Sequence, residues 1–170
     1  MAANQYKRLS NTYFCDRCLG WSGVCVEPNS VYWEELREKR SCHVVPHCVS
    51  NVTDEITFVG GDSKLGVFGG IDGSKFSNFR RSSRSPTQMR CLTTQAALDR
   101  SHVKHVHLMS LDVEGHEASV LAGINFQRTR IDNILCESNC DSLLPSLYVR
   151  TTHFVGSEWL WQLRDHHRHL

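Results

Sequence analysis

The sequence predicts an α/β fold with a mostly parallel sheet, on three observations. An apolar run, Gly23-Val24-Cys25-Val26, stops at Glu27-Pro28-Asn29; an amphipathic stretch and a second β-branched run follow it. Another run, Val106-His107-Leu108-Met109-Ser110-Leu111, stops at Asp112-Val113-Glu114-Gly115-His116-Glu117, after which Ala118, Val120, Leu121 and Ile124 recur at helical spacing. A third, Ile131-Asp132-Asn133-Ile134-Leu135-Cys136, also ends in a carboxylate, Glu137. Strand, helix and strand at these spacings imply right-handed parallel crossovers.

The elements follow in order. Residues 23–26 read as a short buried strand. The next helix carries Val31, Tyr32, Trp33 and Leu36 on its apolar side. Asn29 or Ser30 caps it, Glu34 and Glu35 suit its positive end, and Lys39 and Arg40 suit its negative end. Residues 42–49 read as the second strand, with Pro46 at an edge or bulge because proline cannot donate to a ladder. Residues 60–86, with Gly60-Gly61, Gly69-Gly70 and the basic Arg80-Arg81-Ser82-Ser83-Arg84-Ser85, read as a mobile loop or extended hairpin. The basic stretch is read as a solvated loop, the alternatives being a phosphate contact or a phosphorylation site. A short strand at 89–93 and a brief helix at 94–98 precede the strong run at 106–111. The tail, 141–170, shows no closing hairpin and ends in the histidine-rich Asp165-His166-His167-Arg168-His169, read as a frayed terminus rather than a metal site.

A length of 170 residues fits one domain, and 40% hydrophobic residues allow it a core. A net charge of +1 offers no field for nucleic acid, so none is expected as a partner. No apolar run is long enough to span a membrane, and the first residues show no apolar export signal; the default is a cytoplasmic chain. On that basis the eight cysteines read as reduced thiols filling helix and strand positions, with Cys15-x-x-Cys18 the closest pair and no second pair to complete a zinc site.

Function is therefore sought at the strand ends. In open α/β sheets, ligands bind where strand C-termini and helix N-termini open together. A carboxylate after the second strand of a nucleotide-binding unit accepts hydrogen bonds from both ribose hydroxyls, and Glu27 is placed for that; the bland alternative is a glutamate that only favours the helix dipole. Glu27, Asp112 and Glu137 would converge on one rim.

The segments Gly20-Trp21-Ser22-Gly23-Val24-Cys25-Val26-Glu27-Pro28-Asn29, Cys48-Val49-Ser50, Ser110-Leu111-Asp112-Val113-Glu114-Gly115-His116-Glu117-Ala118-Ser119-Val120-Leu121-Ala122-Gly123-Ile124 and 131–137 resemble the FkbM-type S-adenosylmethionine-dependent methyltransferases over roughly positions 10 to 140. The resemblance implies a Rossmann-like methyltransferase fold, S-adenosylmethionine as cofactor and O-methyl transfer to a hydroxyl or carboxyl acceptor, whether small molecule, glycan or lipid. It further implies that Glu27, with Asn29 beside it, holds the cofactor ribose. Ser50 lies near the adenine with Cys48 and Val49, and Asp112 lies at the methionine end. Asp112, Glu114 and His116 are the candidates for the base that relieves the acceptor of its proton.

One departure stands out. Members of this family begin with a strand and an Asp-x-Gly-Ala-x-x-Gly turn, and the only glycines before the 24–26 strand are Gly20 and Gly23, while residues 9–19 look like the helix that should follow such a turn. The sheet is thus expected to lack its first, central strand, leaving the strands at 24–26 and 106–111 without partners. The reading adopted is a partial methyltransferase domain, N-terminally truncated. The alternatives are a partner chain that completes the sheet and a degenerate homologue that serves as a non-catalytic binding or trafficking protein.

Overall fold

The computed structural model describes residues 1–59, 70–71, 86–138, 140–153 and 158–164. Most of the glycine-rich and basic loop expected at 60–86 and the histidine-rich end at 165–170 lie outside the described residues.

The helix expected over 9–19 shrinks to α1 (Tyr13–Arg17). Arg40 explains the loss: its guanidinium donates to the Tyr6 and Thr12 carbonyls and to the Ser10 and Thr12 hydroxyls, and it pairs with buried Asp16 at 2.5 Å. Groups that would open a longer helix are thereby committed elsewhere. β1 (Val24–Val26) follows, then a 3₁₀ turn (Ser30–Tyr32) and α2 (Trp33–Lys39). Asn29 caps the turn as the sequence suggests, its Oδ1 accepting from the Val31 N–H at 3.1 Å. Leu36 is fully buried beneath the helix.

The strand expected over 42–49 divides into β2 (His43–Val45) and β3 (Cys48–Ser50). Pro46 falls between them, where it breaks the ladder. β2 pairs in parallel with β1, whereas β3 pairs in parallel with β6 (Pro86–Thr93), which continues through β4 (Glu55–Val59) to β5 (Gly70–Ile71) in antiparallel fashion. Thr93 caps α3 (Thr94–Arg100), its hydroxyl accepting from the Ala96 N–H at 3.0 Å. β7 (His105–Val106) and β8 (Met109–Leu111) lead to α4 (Glu117–Ala122), and β9 (Arg130–Ile131) and β10 (Asn133–Cys136) lie parallel to them.

The tail corrects the sequence reading. β11 (Tyr148–His153) and β12 (Trp159–Leu163) form an antiparallel hairpin, and β12 adds to β10. Its period was hidden because apolar residues run consecutively at 159–161. Trp161 is 1% exposed, while Trp159 lies against the Arg150 guanidinium, 4.2 Å from its ring centre.

The chain is mixed α/β, but the expected mostly parallel, Rossmann-like sheet is realised only in pairs. Among the described residues there are four small sheets, with parallel pairing in β1–β2, β3–β6, β7–β9 and β8–β10. β1 and β8 belong to separate sheets, and each has a partner, β2 and β10, where the sequence reading left both strands without one. Residues 1–3 lie between β1 and β8: the Ala3 N–H donates to the Val26 carbonyl at 3.0 Å and the Met1 nitrogen to the Ser110 carbonyl at 2.5 Å. Val26, Val45, Val49, Leu92, Leu111, Leu121, Ile131, Ile134 and Trp161 share one core that spans these sheets.

The cysteines are also corrected. Disulfides join Cys25 to Cys42, Cys48 to Cys91 and Cys136 to Cys140; Cys15 and Cys18 are free. Strand pairing supplies the reason, because the β3–β6 register sets Cys48 directly opposite Cys91, and Cys42 immediately precedes β2 alongside β1. Residues distant in sequence meet there, which spacing alone cannot reveal.

Candidate active site

Each proposed site residue sits at or just beyond a strand end. Glu27 follows β1 and is 4% exposed. Its Oε1 accepts from the Asn29 N–H at 2.8 Å and its Oε2 from the Asn4 N–H at 2.7 Å. Burial pushes its carboxyl up to about 7, against the opposing effect of those two N–H groups. Asn29, 2% exposed, accepts from Val31 through Oδ1, while its buried Nδ2 has no acceptor among the described residues. A buried donor left without a partner is costly, by about 1–3 kcal/mol. It marks a place where a ligand oxygen would be welcome.

Asp112 follows β8, and its N–H lies 3.5 Å from the Met1 carbonyl. Glu137 follows β10, the parallel neighbour, and shares a hydrogen bond with Asp112. Burial first, then that bond and the charges of Asp112, Glu114 and Glu117, push Glu137 up to about 8, so it is protonated at neutral pH. Glu27 and Asp112 both favour the charged form of the Met1 amine, whose burial lowers it to about 6. Glu27 and Asp112 therefore flank the segment that fills the gap between β1 and β8, while Glu137 interacts with Asp112.

Glu114 and Gly115 turn the chain into α4 with φ of 56° and 91°. Gly115 carries the more extreme left-handed value at no steric cost. Its N–H reaches Oε1 of buried Glu117 at 3.2 Å. His116 sits at the cap of α4, and its Nε2 lies 3.1 Å from the Ser50 hydroxyl at the end of β3. Burial holds the imidazole below the usual histidine range, with Glu117 opposing, so it is neutral at pH 7 and able to accept a proton. Glu27 and Asp112 lie by residues 1–4, Glu137 interacts with Asp112, Glu114 and Glu117, and His116 meets Ser50 at the β3 end.

Sequence reading did not single out Asn4 or Glu117. Asn4 adopts φ of 55°, a conformation asparagine tolerates better than most residues, but nothing in the pattern of residues 1–5 announces a contact 23 positions away. A cavity of about 530 Å³ is lined by Met1, Ser110 and Asp112 together with His105 and His107. Of the candidate residues only Asp112 lines it; Glu27, Asn29, Ser50, Glu114 and His116 do not.

The chain is an α/β protein with carboxylates directly after three parallel-paired strands, β1, β8 and β10. The family model for the methyltransferase FkbM domain matches residues 2–142, and the chain belongs to that family. No curated protein and no solved structure matches it.

Proposed function

We propose that this domain binds S-adenosylmethionine and serves O-methyl transfer to a hydroxyl or carboxyl group of a small-molecule, glycan or lipid acceptor. The observation that carries this reading is the pair Glu27 and Asn29: a buried carboxylate already fixed by backbone N–H groups, beside a buried amide donor with no acceptor. A ribose presents two hydroxyls that donate to such a carboxylate and accept from such an amide. The residues present fit that half of the cofactor. At the methionine end the described residues hold no glycine-rich turn, and residues 1–5 stand there instead.

S-adenosylmethionine, when bound, supplies a methyl group on a sulfonium for in-line attack by an acceptor oxygen. The chain's own part is positioning and proton removal. Glu27 and Asn29 hold the ribose, Ser50 with Cys48 and Val49 borders the adenine, and Asp112 orients the methionine end and the acceptor. Asp112, Glu114 and His116 are the groups from which the base is drawn. Of these, Asp112 stands at the proposed methionine end, whereas His116 contacts Ser50 on the adenine side.

A second reading, a non-catalytic binding or trafficking protein, is favoured by one observation. Asn4 already donates to Glu27 Oε2, the oxygen a ribose hydroxyl would use. A partner strand that enters between β1 and β8 belongs to either reading, since it would displace residues 1–3. Calorimetric titration with S-adenosylhomocysteine separates the two: heat from the intact chain that Glu27→Ala abolishes supports the first, and no heat from a folded sample overturns it. Three disulfides persist most readily in oxidising surroundings. That counts against the cytoplasmic default. Among the described residues no helix is long and apolar enough to cross a membrane.

A further inference from the structure

On the β7–β9 pair, whose strands precede β8 and β10 in the chain, a second set of polar side chains converges. β7 pairs with β9 so that His105 faces Arg130 and Val106 faces Ile131; His107 and Asp132 directly follow the two strands. His105 and His107 are two apart on an extended chain and so share a face. Their rings lie 4.3 Å apart, and His105 Nε2 is 2.7 Å from Asp132 Oδ2. One ligand atom from each of His105, His107 and Asp132 can be chosen so that all lie within 4.8 Å of one another.

We propose that His105, His107 and Asp132 form a binding site for a borderline divalent transition-metal ion, with Zn²⁺ as its natural probe. Two imidazoles and a carboxylate are the donor set that such ions prefer, and three protein ligands leave a fourth position for water. Around a tetrahedral ion at about 2.0–2.1 Å, donor atoms sit roughly 3.3 Å apart. The His105–Asp132 pair must open by a few tenths of an ångström, and the others must close by up to about 1.5 Å. Both histidines are exposed and free to adjust by rotation.

The carboxylate is already held in place. Arg130 Nε donates to Asp132 Oδ1 at 2.7 Å, leaving Oδ2 toward the histidines. The Asp132 N–H donates to the Val106 carbonyl at 2.8 Å, and Asn133 Nδ2 donates to the His107 carbonyl at 2.8 Å. Partners of this kind fix the orientation of metal ligands. The neighbouring guanidinium also opposes a cation, so binding rests on both imidazoles. His107 and Asp112 lie five positions apart in the chain and line the same cavity, so the site borders the one proposed for methyl transfer without sharing a residue with it.

The test uses the full chain, stripped with chelator and kept free of reductant, titrated with ZnCl₂ by calorimetry and with CoCl₂ by visible absorption. One ion per chain is expected, with a cobalt spectrum of nitrogen and oxygen ligands. His105→Ala, His107→Ala and Asp132→Asn should each weaken binding at least tenfold while leaving the circular dichroism melt in place. A variant with His166, His167 and His169 all changed to alanine should bind as the parent does. Absence of binding, a thiolate charge-transfer band pointing to Cys15 and Cys18, loss of the ion in the tail variant, or unchanged affinity in the His105→Ala/His107→Ala double variant would each overturn the proposal.

Discussion

The Asn4 N–H donates to Glu27 Oε2 at 2.7 Å, tying the start of the chain to the carboxylate proposed to hold a ribose. That N–H stabilises the ionised carboxylate against a burial that favours the neutral one. Asn4→Pro removes the donor, and its fixed negative φ is incompatible with the 55° adopted here, so residues 1–4 must leave. With residues 1–4 gone, water reaches the carboxylate and the burial that raises it is relieved, so the Glu27 carboxyl should fall below about 7 in the variant, as followed by carboxyl-carbon NMR. An unchanged titration would show that residues 1–4 do not govern Glu27. In the same variant S-adenosylhomocysteine should bind more tightly, because Oε2 has been released.

Glu137 makes stability depend on pH. Its carboxyl is raised to about 8 in the fold, above its unfolded value, so its stabilising effect is full below the unfolded pKa and is lost as pH rises through about 8. Glu27, raised to about 7, acts with the same sign over a lower window. The chain should therefore melt at lower temperature at about pH 8.5 than at about pH 5.5. Glu137→Gln keeps a hydrogen-bond donor for Asp112 without the charge. It should stabilise the chain at the higher pH by on the order of 1–2 kcal/mol, allowing for solvent screening at this half-exposed group, and should flatten the profile. A melt of Glu137→Gln that tracks the parent at every pH would remove Glu137 from this role.

Much of this site was legible in the sequence, for a local reason. The residues after β1, β8 and β10 are acidic, and apolar runs ending abruptly in a carboxylate mark strand ends whatever the sheet does. The capping Asn29 was legible for the same reason. What the sequence concealed is non-local. Arg40 dismantles the expected helix at 9–19 by reaching back to residues 6–16, and the β3–β6 register brings Cys48 to Cys91 across 43 positions. The closing hairpin was hidden because Trp159, Leu160 and Trp161 do not alternate in polarity, although their burial differs.

The cysteine pairing is directly countable. Titration of the unfolded, unreduced chain with a thiol reagent should find two thiols, Cys15 and Cys18, and the full eight only after reduction. Chain entropy makes the Cys25–Cys42 and Cys48–Cys91 links worth about 3–4 kcal/mol each, since they close loops of 17 and 43 residues. Reductant should thus lower the melting temperature markedly. Eight reactive thiols in protein prepared under oxidising conditions would restore the reading of these residues as free thiols.

Gly123 is where α4 meets the ends of β3 and α3. A Cβ built there would lie 2.1 Å from the Ser50 carbonyl oxygen and 3.0 Å from the Thr94 nitrogen, both of them backbone atoms that cannot swing aside as a side chain would. The Gly123 carbonyl also accepts from the Gln95 N–H at 2.8 Å, so the helix cannot retreat without breaking that bond. Gly123→Ala should accordingly cost about 3 kcal/mol in urea unfolding, at the upper end of overpacking penalties, with little change in the slope. Ala118→Gly, on the exposed side of the same helix, serves as the comparison and should cost about 1 kcal/mol through helix propensity alone. Because His116 at the other end of α4 contacts the Ser50 hydroxyl at 3.1 Å, forcing the helix off β3 should also separate these two side chains. That separation would let water reach the imidazole and relieve the burial that depresses it, so the His116 titration followed by NMR should move upward in Gly123→Ala and stay in place in Ala118→Gly. A Gly123→Ala variant as stable as the parent, with His116 unmoved, would mean that α4 does not approach β3 as closely as this packing requires.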